Sequence, residues 1–347
     1  MSRTLSRRAI LGSVAAAACA PSLPAQQLAG EPPGRIAPLS EIVNVFELQE
    51  MAKRKLPEPV YATIAGTNRA ALERMTFRPR LMVNVTQLDL SLDLLGTKLF
   101  APILLGPVWR QESFHPDAEI ASARGAAASK SLMIVSSRAS KPLPQIIEAA
   151  GESPMWFQAY PEADPQATVS ACQAAVKLGC KAVCITVGAP REATTSPKTT
   201  WETIDRIKQS VSAPLLVKGI LNADEAAAAA TKGVQAIVIS NHGAPAASGL
   251  VDPLEMLPAI VKATGSKIPI LIDGSFRRGT DVLKALALGA RAVLVARPAM
   301  WGLAAYGAEG VQAALEMLQT ELARAMAMCG KPTLAAIDAS LVKIHRR

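Results

Sequence analysis

From Ala101 to Arg297 the chain repeats one unit: a short apolar run, a stop made of polar residues or glycine, then enough residues for a helix. The apolar runs lie at 103–105, 132–136, 155–160, 182–187, 215–220, 236–241, 270–273 and 292–297. Unbroken apolar runs this short read as strands buried on both faces, the condition of a parallel sheet covered by helices. Stretches 117–129, 164–178, 223–232, 252–263 and 280–288 read as such helices, several opening on Asp or Thr in a capping position. Eight strand–helix units close into an α/β fold, the (β/α)8 or TIM barrel, with an open doubly wound sheet as the alternative. Residues 304–328 form a last helical region over the barrel's outside. Ahead of the repeat lies an N-terminal helical and β extension. It comprises a helix over 39–55 halted by Pro57 and Pro59, a short helix over 60–74, and an extended stretch over 77–95.

A parallel barrel presents the residues just past each strand on one rim, where this fold places its chemistry. Here the rim collects residues 107–110, 136–138, Gln158, Tyr160, Thr186, Lys218, residues 240–243, residues 273–278 and Arg297, a polar set for strands so apolar. The run Ile237-Val238-Ile239-Ser240-Asn241-His242-Gly243 ends on a histidine, and the two others in the chain, His115 and His345, lack a comparable setting. A lone histidine reads first as a loop residue held by hydrogen bonds; on a polar rim His242 becomes a candidate base. The stretch Asp273-Gly274-Ser275-Phe276-Arg277-Arg278-Gly279 combines close backbone approach with cations. With Arg297 it follows the seventh and eighth strands, where this fold binds phosphate. Singly, Arg277 and Arg297 read equally well as surface charges; together they predict a bound phosphate.

Half of the 347 residues are apolar, enough for one large core. The net charge of +9 is spread along the chain, and no basic patch interleaved with aromatics points to nucleic acid. The cysteines, Cys19, Cys172, Cys180, Cys184 and Cys329, show no metal-ligand spacing, so no metal is expected and the last four read as core residues or inert thiols. Residues 1–25 read as a signal peptide. Ser6-Arg7-Arg8-Ala9-Ile10-Leu11 precedes an alanine-rich apolar run, its paired arginines are of the twin-arginine type, and cleavage is expected after Ala25. The run is too short to span a bilayer comfortably. Lipid attachment at Cys19 and a frayed helix of a cytoplasmic protein are the alternatives. A linker over 26–40 leads into the domain over 41–347, and the expectation is an exported, periplasmic protein.

Several stretches then stand together: Lys53-Arg54-Lys55-Leu56-Pro57 with Val60-Tyr61, Phe77-Arg78-Pro79-Arg80, Gln158-Ala159-Tyr160, Leu216-Val217-Lys218-Gly219, Ser240-Asn241-His242-Gly243-Ala244, and Asp273-Gly274 running through Arg277-Arg278-Gly279 to Leu288-Gly289-Ala290. They closely resemble the FMN-dependent 2-hydroxy acid oxidase and dehydrogenase family, over nearly everything from Glu41 onward. The resemblance implies FMN as cofactor. It implies that Pro107, Val108 and Trp109 pass the flavin ring through their backbone, that Ser136, Gln158 and Thr186 bond its polar edge, and that Lys218 places a charge there. Arg277 and Arg297 are similar to the family's phosphate ligands, and Ser240, Gly243, Gly274, Ser275 and Ala296 fall on the same cofactor-binding motifs. His242 is similar to the family's catalytic base, with Asp273 steadying its imidazolium, and Tyr160 resembles the tyrosine that bonds the substrate oxygen.

The departures from that pattern lie on the substrate side. After Ser-Asn-His-Gly-Ala the family has an arginine that clamps the substrate carboxylate, and this chain has Pro245. A second family arginine aligns with about Thr195, in a loop shortened to residues 193–198; a substrate-binding tyrosine corresponds to Thr63 and a ring-lining tryptophan to Arg138. An arginine fork supplies charge and bidentate geometry, and losing one such contact costs about 2 to 5 kcal/mol when its partner stays buried. Either the acid is anchored elsewhere, with Arg138 and Arg110 as candidates, or the substrate has no carboxylate beside its hydroxyl. For Arg138 the alternative is a side chain turned to solvent or paired with Glu112. The resulting expectation is an FMN-dependent oxidoreductase that oxidises a hydroxyl-bearing carbon of a small molecule, with an altered substrate pocket. Its electron acceptor would be oxygen, a quinone or a cytochrome, and the chain would form a homo-oligomer without nucleic acid. An exported flavin-binding protein without turnover is the alternative, against which His242, Tyr160, Lys218 and Asp273 weigh.

Overall fold

Side chains along the central strands alternate between two separate apolar clusters, and that alternation decides where the polar strand ends point. The computed structural model describes residues 34–66, 69–188, 199–244, 249 and 251–345. Helices α1 (Val45–Lys55), α2 (Glu58–Ile64) and α3 (Ala70–Glu73) lead to β1 (Met75–Phe77) and a hairpin of β2 (Leu92–Leu94) and β3 (Thr97–Leu99). Strands β4 (Ile103–Leu105), β5 (Met133–Ser136), β6 (Met155–Ala159), β7 (Val183–Thr186), β8 (Leu215–Ile220), β9 (Ala236–Ile239), β10 (Ile270–Asp273) and β11 (Ala292–Val295) follow. Among and after them run α4 (Ala118–Ala128), α5 (Leu143–Ala150), α6 (Pro165–Lys177), α7 (Trp201–Ser210), α8 (Ala223–Thr231), α9 (Pro253–Thr264), α10 (Gly279–Ala287) and α11 (Arg297–Met328), and β12 (Val342–Ile344) comes last. The eight strands from β4 to β11 close into a parallel barrel, so the TIM-barrel reading holds and the open sheet falls.

Leu104, Ile134, Trp156, Cys184, Leu216, Val238, Leu271 and Leu294 belong to the cluster that fills the barrel. Their neighbours Ile103, Val135, Phe157, Ile185, Val217, Ile239, Ile272 and Val295 belong to the cluster shared with the helices. Both faces are therefore buried, which is why the strands read as continuous apolar runs rather than alternating ones. Leu92, Leu94 and Leu99 of the hairpin join the inner cluster and close the barrel's N-terminal end. Side chains of Asn44, Asp164, Thr200, Asn222 and Asp252 cap α1, α6, α7, α8 and α9 by accepting from backbone N–H groups of the first turn.

The extension departs from its sequence reading. The helix expected from residue 39 starts at Val45, because Asn44 is extended and accepts from Phe46 and Glu47; Leu39–Glu41 form only a 3-10 turn. The short helix over 60–74 becomes α2 and α3, with its last residue, Arg74, already a C-cap. The extended stretch over 77–95 is mostly loop: β1 pairs antiparallel with β12, and Leu81 and Met82 are exposed at 79% and 99%. The last helix starts at Arg297 rather than 304 and bends at Gly307, where φ 63 and ψ −138 break it. Among the described residues no helix is long and apolar enough to cross a membrane, and no group of three or more His, Cys, Asp or Glu side chains is placed to hold a metal. Cys172, Cys180, Cys184 and Cys329 are buried free thiols, and burial pushes that of Cys184 up to about 12. The expected signal peptide, Cys19 and most of the linker lie outside the described residues.

Candidate active site

Two residues past the last apolar side chain inside the barrel, the inward row turns polar. Ser136, Gln158, Thr186, Lys218, Ser240 and Asp273 occupy that row, with Gly106 and Ala296 at β4 and β11. Neighbouring strands hold them side by side: Ser136 is in register with Gln158, and Thr186 with Lys218. Ser136 Oγ donates to Gln158 Oε1 at 2.8 Å and Gln158 Nε2 to Thr186 Oγ1 at 2.7 Å. Lys218 Nζ donates to Ser240 Oγ at 2.7 Å and pairs with Asp273 Oδ2 at 2.8 Å, while Ser240 Oγ donates to the same oxygen at 2.8 Å. Lys218, only 6% exposed, has this carboxylate and hydroxyl as its partners at the barrel mouth. Asp273 Oδ1 is buried and has no partner.

His242 follows β9 with a left-handed φ of 56, held there by its backbone N–H on Ser240 Oγ at 3.1 Å. Its Nε2 lies 3.0 Å from the carbonyl of Val187. A carbonyl only accepts, so Nε2 carries the proton and the basic lone pair of the neutral ring is on Nδ1. The ring fits because β8 bulges between Lys218 and Ile220, at Gly219. A Cβ at Gly219, whose φ is +114, would lie 2.3 Å from Val187 O and 2.9 Å from His242 Nε2. Burial, followed by the charge of Lys218, pushes the imidazole down to about 4, against Asp273 and the Val187 bond. His242 is therefore neutral at pH 7, as a base must be. Asp273 was expected to hold the imidazolium; in the structure it bonds Lys218 and Ser240 and acts on His242 through its charge.

Past β10 and β11, beside the His242 loop, the cations crowd. Arg277 is 4% exposed, stacks on Trp301 at 4.5 Å and donates through Nη1 to Phe276 O, but its buried Nη2 has no partner. Arg297 Nη2 donates to Gly243 O at 2.8 Å, and a Cβ at Gly243 would lie 2.7 Å from that nitrogen. Burial, then Arg297 and Arg69, pushes Arg277 down to about 9, with Asp281 opposing. Asp281 is already spent: it accepts from the backbone of Arg277 and Arg278 and pairs with both terminal nitrogens of Arg69.

Tyr160, just past β6, is half-buried; burial pushes its hydroxyl up while Lys218 and Arg138 pull it back. Arg138 lies over its ring, 4.2 Å from the centroid, and Arg110 lies over Trp109 at 5.0 Å. The loops carrying these arginines are joined: Arg110 N donates to Arg138 O, and Glu119 Oε1 accepts from Gln111 N, Ser140 N and Ser140 Oγ. Glu119 is fully buried on α4. Pro107, Val108 and Trp109 follow β4 and are partly buried on the same rim.

A family model described as FMN-dependent dehydrogenase matches residues 61–194 and 189–344. The chain belongs to the FMN-dependent dehydrogenase family. L-Lactate oxidase of Nostoc sp. is 35% identical, over 88% of this chain and 99% of that protein. 2-Hydroxyacid oxidase 1 of Homo sapiens is 33% identical, over 88% of this chain and 97% of its own length. A crystal structure of mandelate oxidase with (S)-2-phenylpropionate superposes with a TM-score of 0.82 at 33% identity, covering 88% of this chain and all of that one. The protein is thus an FMN-dependent oxidoreductase on a TIM barrel.

The residues present fit that cofactor. The Arg277 guanidinium, crowded by cations and with a buried, unpartnered Nη2, has a donor left for an anion, and a phosphate group supplies one. The buried row from Ser136 to Lys218 offers donors and acceptors to a flat polar edge. Gly243, Gly274 and the left-handed Ser275 let backbone approach closely between them. The expected site residues from Pro107 to Arg297 that could be located all fall on this rim. Pro245, Thr195 and residues 193–198 lie outside the described residues, as does Arg191, five positions after β7. Thr63 is exposed on α2 and donates to Val60 O. Sequence reading passed over Glu119, Asp281 and Arg69. Glu119 carried one signal, a carboxylate in a helix otherwise rich in alanine.

Proposed function

We propose that the protein oxidises the hydroxyl-bearing carbon of a small 2-hydroxy acid, with His242 as the base. The observation that carries this is a half-buried histidine kept neutral beside the Lys218–Asp273 pair, on the same rim as Arg277, whose buried Nη2 has no partner. FMN, when bound, supplies the acceptor for the two electrons that leave the carbon. Pro107, Val108 and Trp109 would line it through their backbone, and Ser136, Gln158, Thr186 and Lys218 would meet its polar edge. Ser240, Gly243, Gly274, Ser275, Ala296, Arg277 and Arg297 would hold the phosphate arm. His242 takes the hydroxyl proton at Nδ1, Asp273 meets the resulting positive charge with its unpartnered Oδ1, and Tyr160 donates to the substrate oxygen. The oxidase names of the relatives favour oxygen as acceptor, with a quinone or cytochrome as the other choices; the working form in this proposal is a homo-oligomer. The paired arginines of residues 1–25 support export to the periplasm with the cofactor already in place.

The test is twofold. Heat-released cofactor should be FMN; FAD would overturn the cofactor assignment. His242→Ala should keep the yellow colour and lose flavin bleaching by 2-hydroxy acids under anaerobic conditions, whereas unchanged bleaching would remove His242 from the mechanism.

A further inference from the structure

Building on that reading, we infer that Arg138 grips the carboxylate of the substrate, so that the acid is anchored from the β5 side of the rim. The guanidinium lies 4.2 Å from the centre of the Tyr160 ring, the residue assigned to the substrate oxygen. A guanidinium resting on an aromatic face keeps N–H donors on its edge, in the planar fork that matches a carboxylate. Its backbone is already committed: Arg138 N donates to Ser136 Oγ at 3.2 Å, and its carbonyl accepts from Arg110 N at 3.4 Å. Ser136 is in turn fixed to Gln158, so the exposed Arg138 is anchored directly above the polar row.

Charge on the rim points the same way. Lys218 is matched by Asp273 and Arg69 by Asp281, while Arg277 and Arg297 face the phosphate corner. Among the described residues no carboxylate pairs with Arg138, and no ion pair joins it to Glu112, its expected alternative partner. Arg138 and Lys218 both act on the Tyr160 hydroxyl, which places the three in one electrostatic neighbourhood. A 2-hydroxy acid would then place its hydroxyl toward His242 and Tyr160 and its carboxylate toward Arg138.

Binding of oxalate to the holoenzyme, read from the flavin absorbance, tests the grip without turnover. Oxalate carries a carboxylate next to a second oxygenated carbon and has no hydrogen to lose. Arg138→Ala should weaken it about 30-fold or more, the equivalent of about 2 kcal/mol, and Arg138→Lys by less, with FMN content equal to the parent as the check on folding. In anaerobic reduction by L-lactate and by lactamide, Arg138→Ala should lower kcat/KM by a similar factor for the acid and leave the amide unaffected. The inference is overturned if oxalate does not bind the parent, if it binds Arg138→Ala equally well, if acid and amide lose equally, or if Arg191→Ala alone produces the loss. A parent flavin that no 2-hydroxy acid reduces would instead sink the proposed reaction, and the oxalate titration would still decide Arg138.

Discussion

His242 is the residue on which pH should act. Burial and Lys218 oppose its charged form and Asp273 favours it, leaving the ring at about 4. The neutral ring is the base, so kcat/KM should be level above that value and fall as pH drops through about 4; an acid limb near the ordinary 6.5 would show that the ring is solvated. Asp273→Asn removes the charge that raises His242 and should move the limb lower still. The same shift bears on stability. Between about pH 6.5 and 4 the unfolded chain binds a proton at this site that the folded chain does not, so stability falls as pH drops through that window. Arg277, pushed down to about 9, shows the opposite chemistry in one rim: a cation crowded by cations, which an anion relieves.

Among the elements, β8 carries the feature that makes room for the base. Its bulge at Gly219 brings the backbone against Val187 O and the His242 ring. Gly219→Ala would put a methyl into that contact at a φ of +114, which alanine resists. The expected result is a flavin-loaded protein whose rate of reduction by substrate falls about 100-fold, the cost of misplacing a catalytic group by about 1 Å. Stopped-flow reduction measures it, and a rate within a few-fold of the parent would show that the ring position is not critical. The β4 and β5 loops show a second way of building a rim. There a buried carboxylate on α4 ties Gln111 to Ser140 and so holds the segments bearing Trp109, Arg110 and Arg138 as one piece.

At the scale of the whole molecule, α11 closes the ring of helices by folding back on itself at Gly307. The two arms touch through glycine: a Cβ at Gly302 would lie 2.1 Å from Gly310 O, and one at Gly310 2.0 Å from Gly302 O. Gly302→Ala should therefore cost at least about 1 to 3 kcal/mol, the range for overpacking, and lower Tm by several degrees in calorimetry. Unchanged Tm would mean that the arms slide apart freely. Gly302 adjoins Trp301, on which Arg277 stacks, so the FMN content of the folded fraction should fall with Tm.

The strands and the rim were legible in the chain because both depend on local order. An apolar run of four to six residues with a polar stop places its last side chains by the two-residue period of a strand alone, so Ser136, Gln158, Thr186, Lys218, Ser240 and Asp273 could be found before any contact was known. His242 and the Arg277–Arg297 pair followed from their place after those strands. What the sequence alone left open is what needs a partner far along the chain. Only Phe77 of β1 fell within the expected extended stretch, because the strand's mate is β12, at the other end of the protein. Asp281 reads as an ordinary first-turn acid until Arg69 arrives from the extension. Asp273 was assigned to His242 by family pattern, and its bond to Lys218 depends on how two strands of the barrel pack side chains inward. Arg138 stays exposed, and it is the barrel's closure that sets Tyr160 under its guanidinium, since β5 and β6 become neighbours by folding and stacking is decided by which surfaces meet.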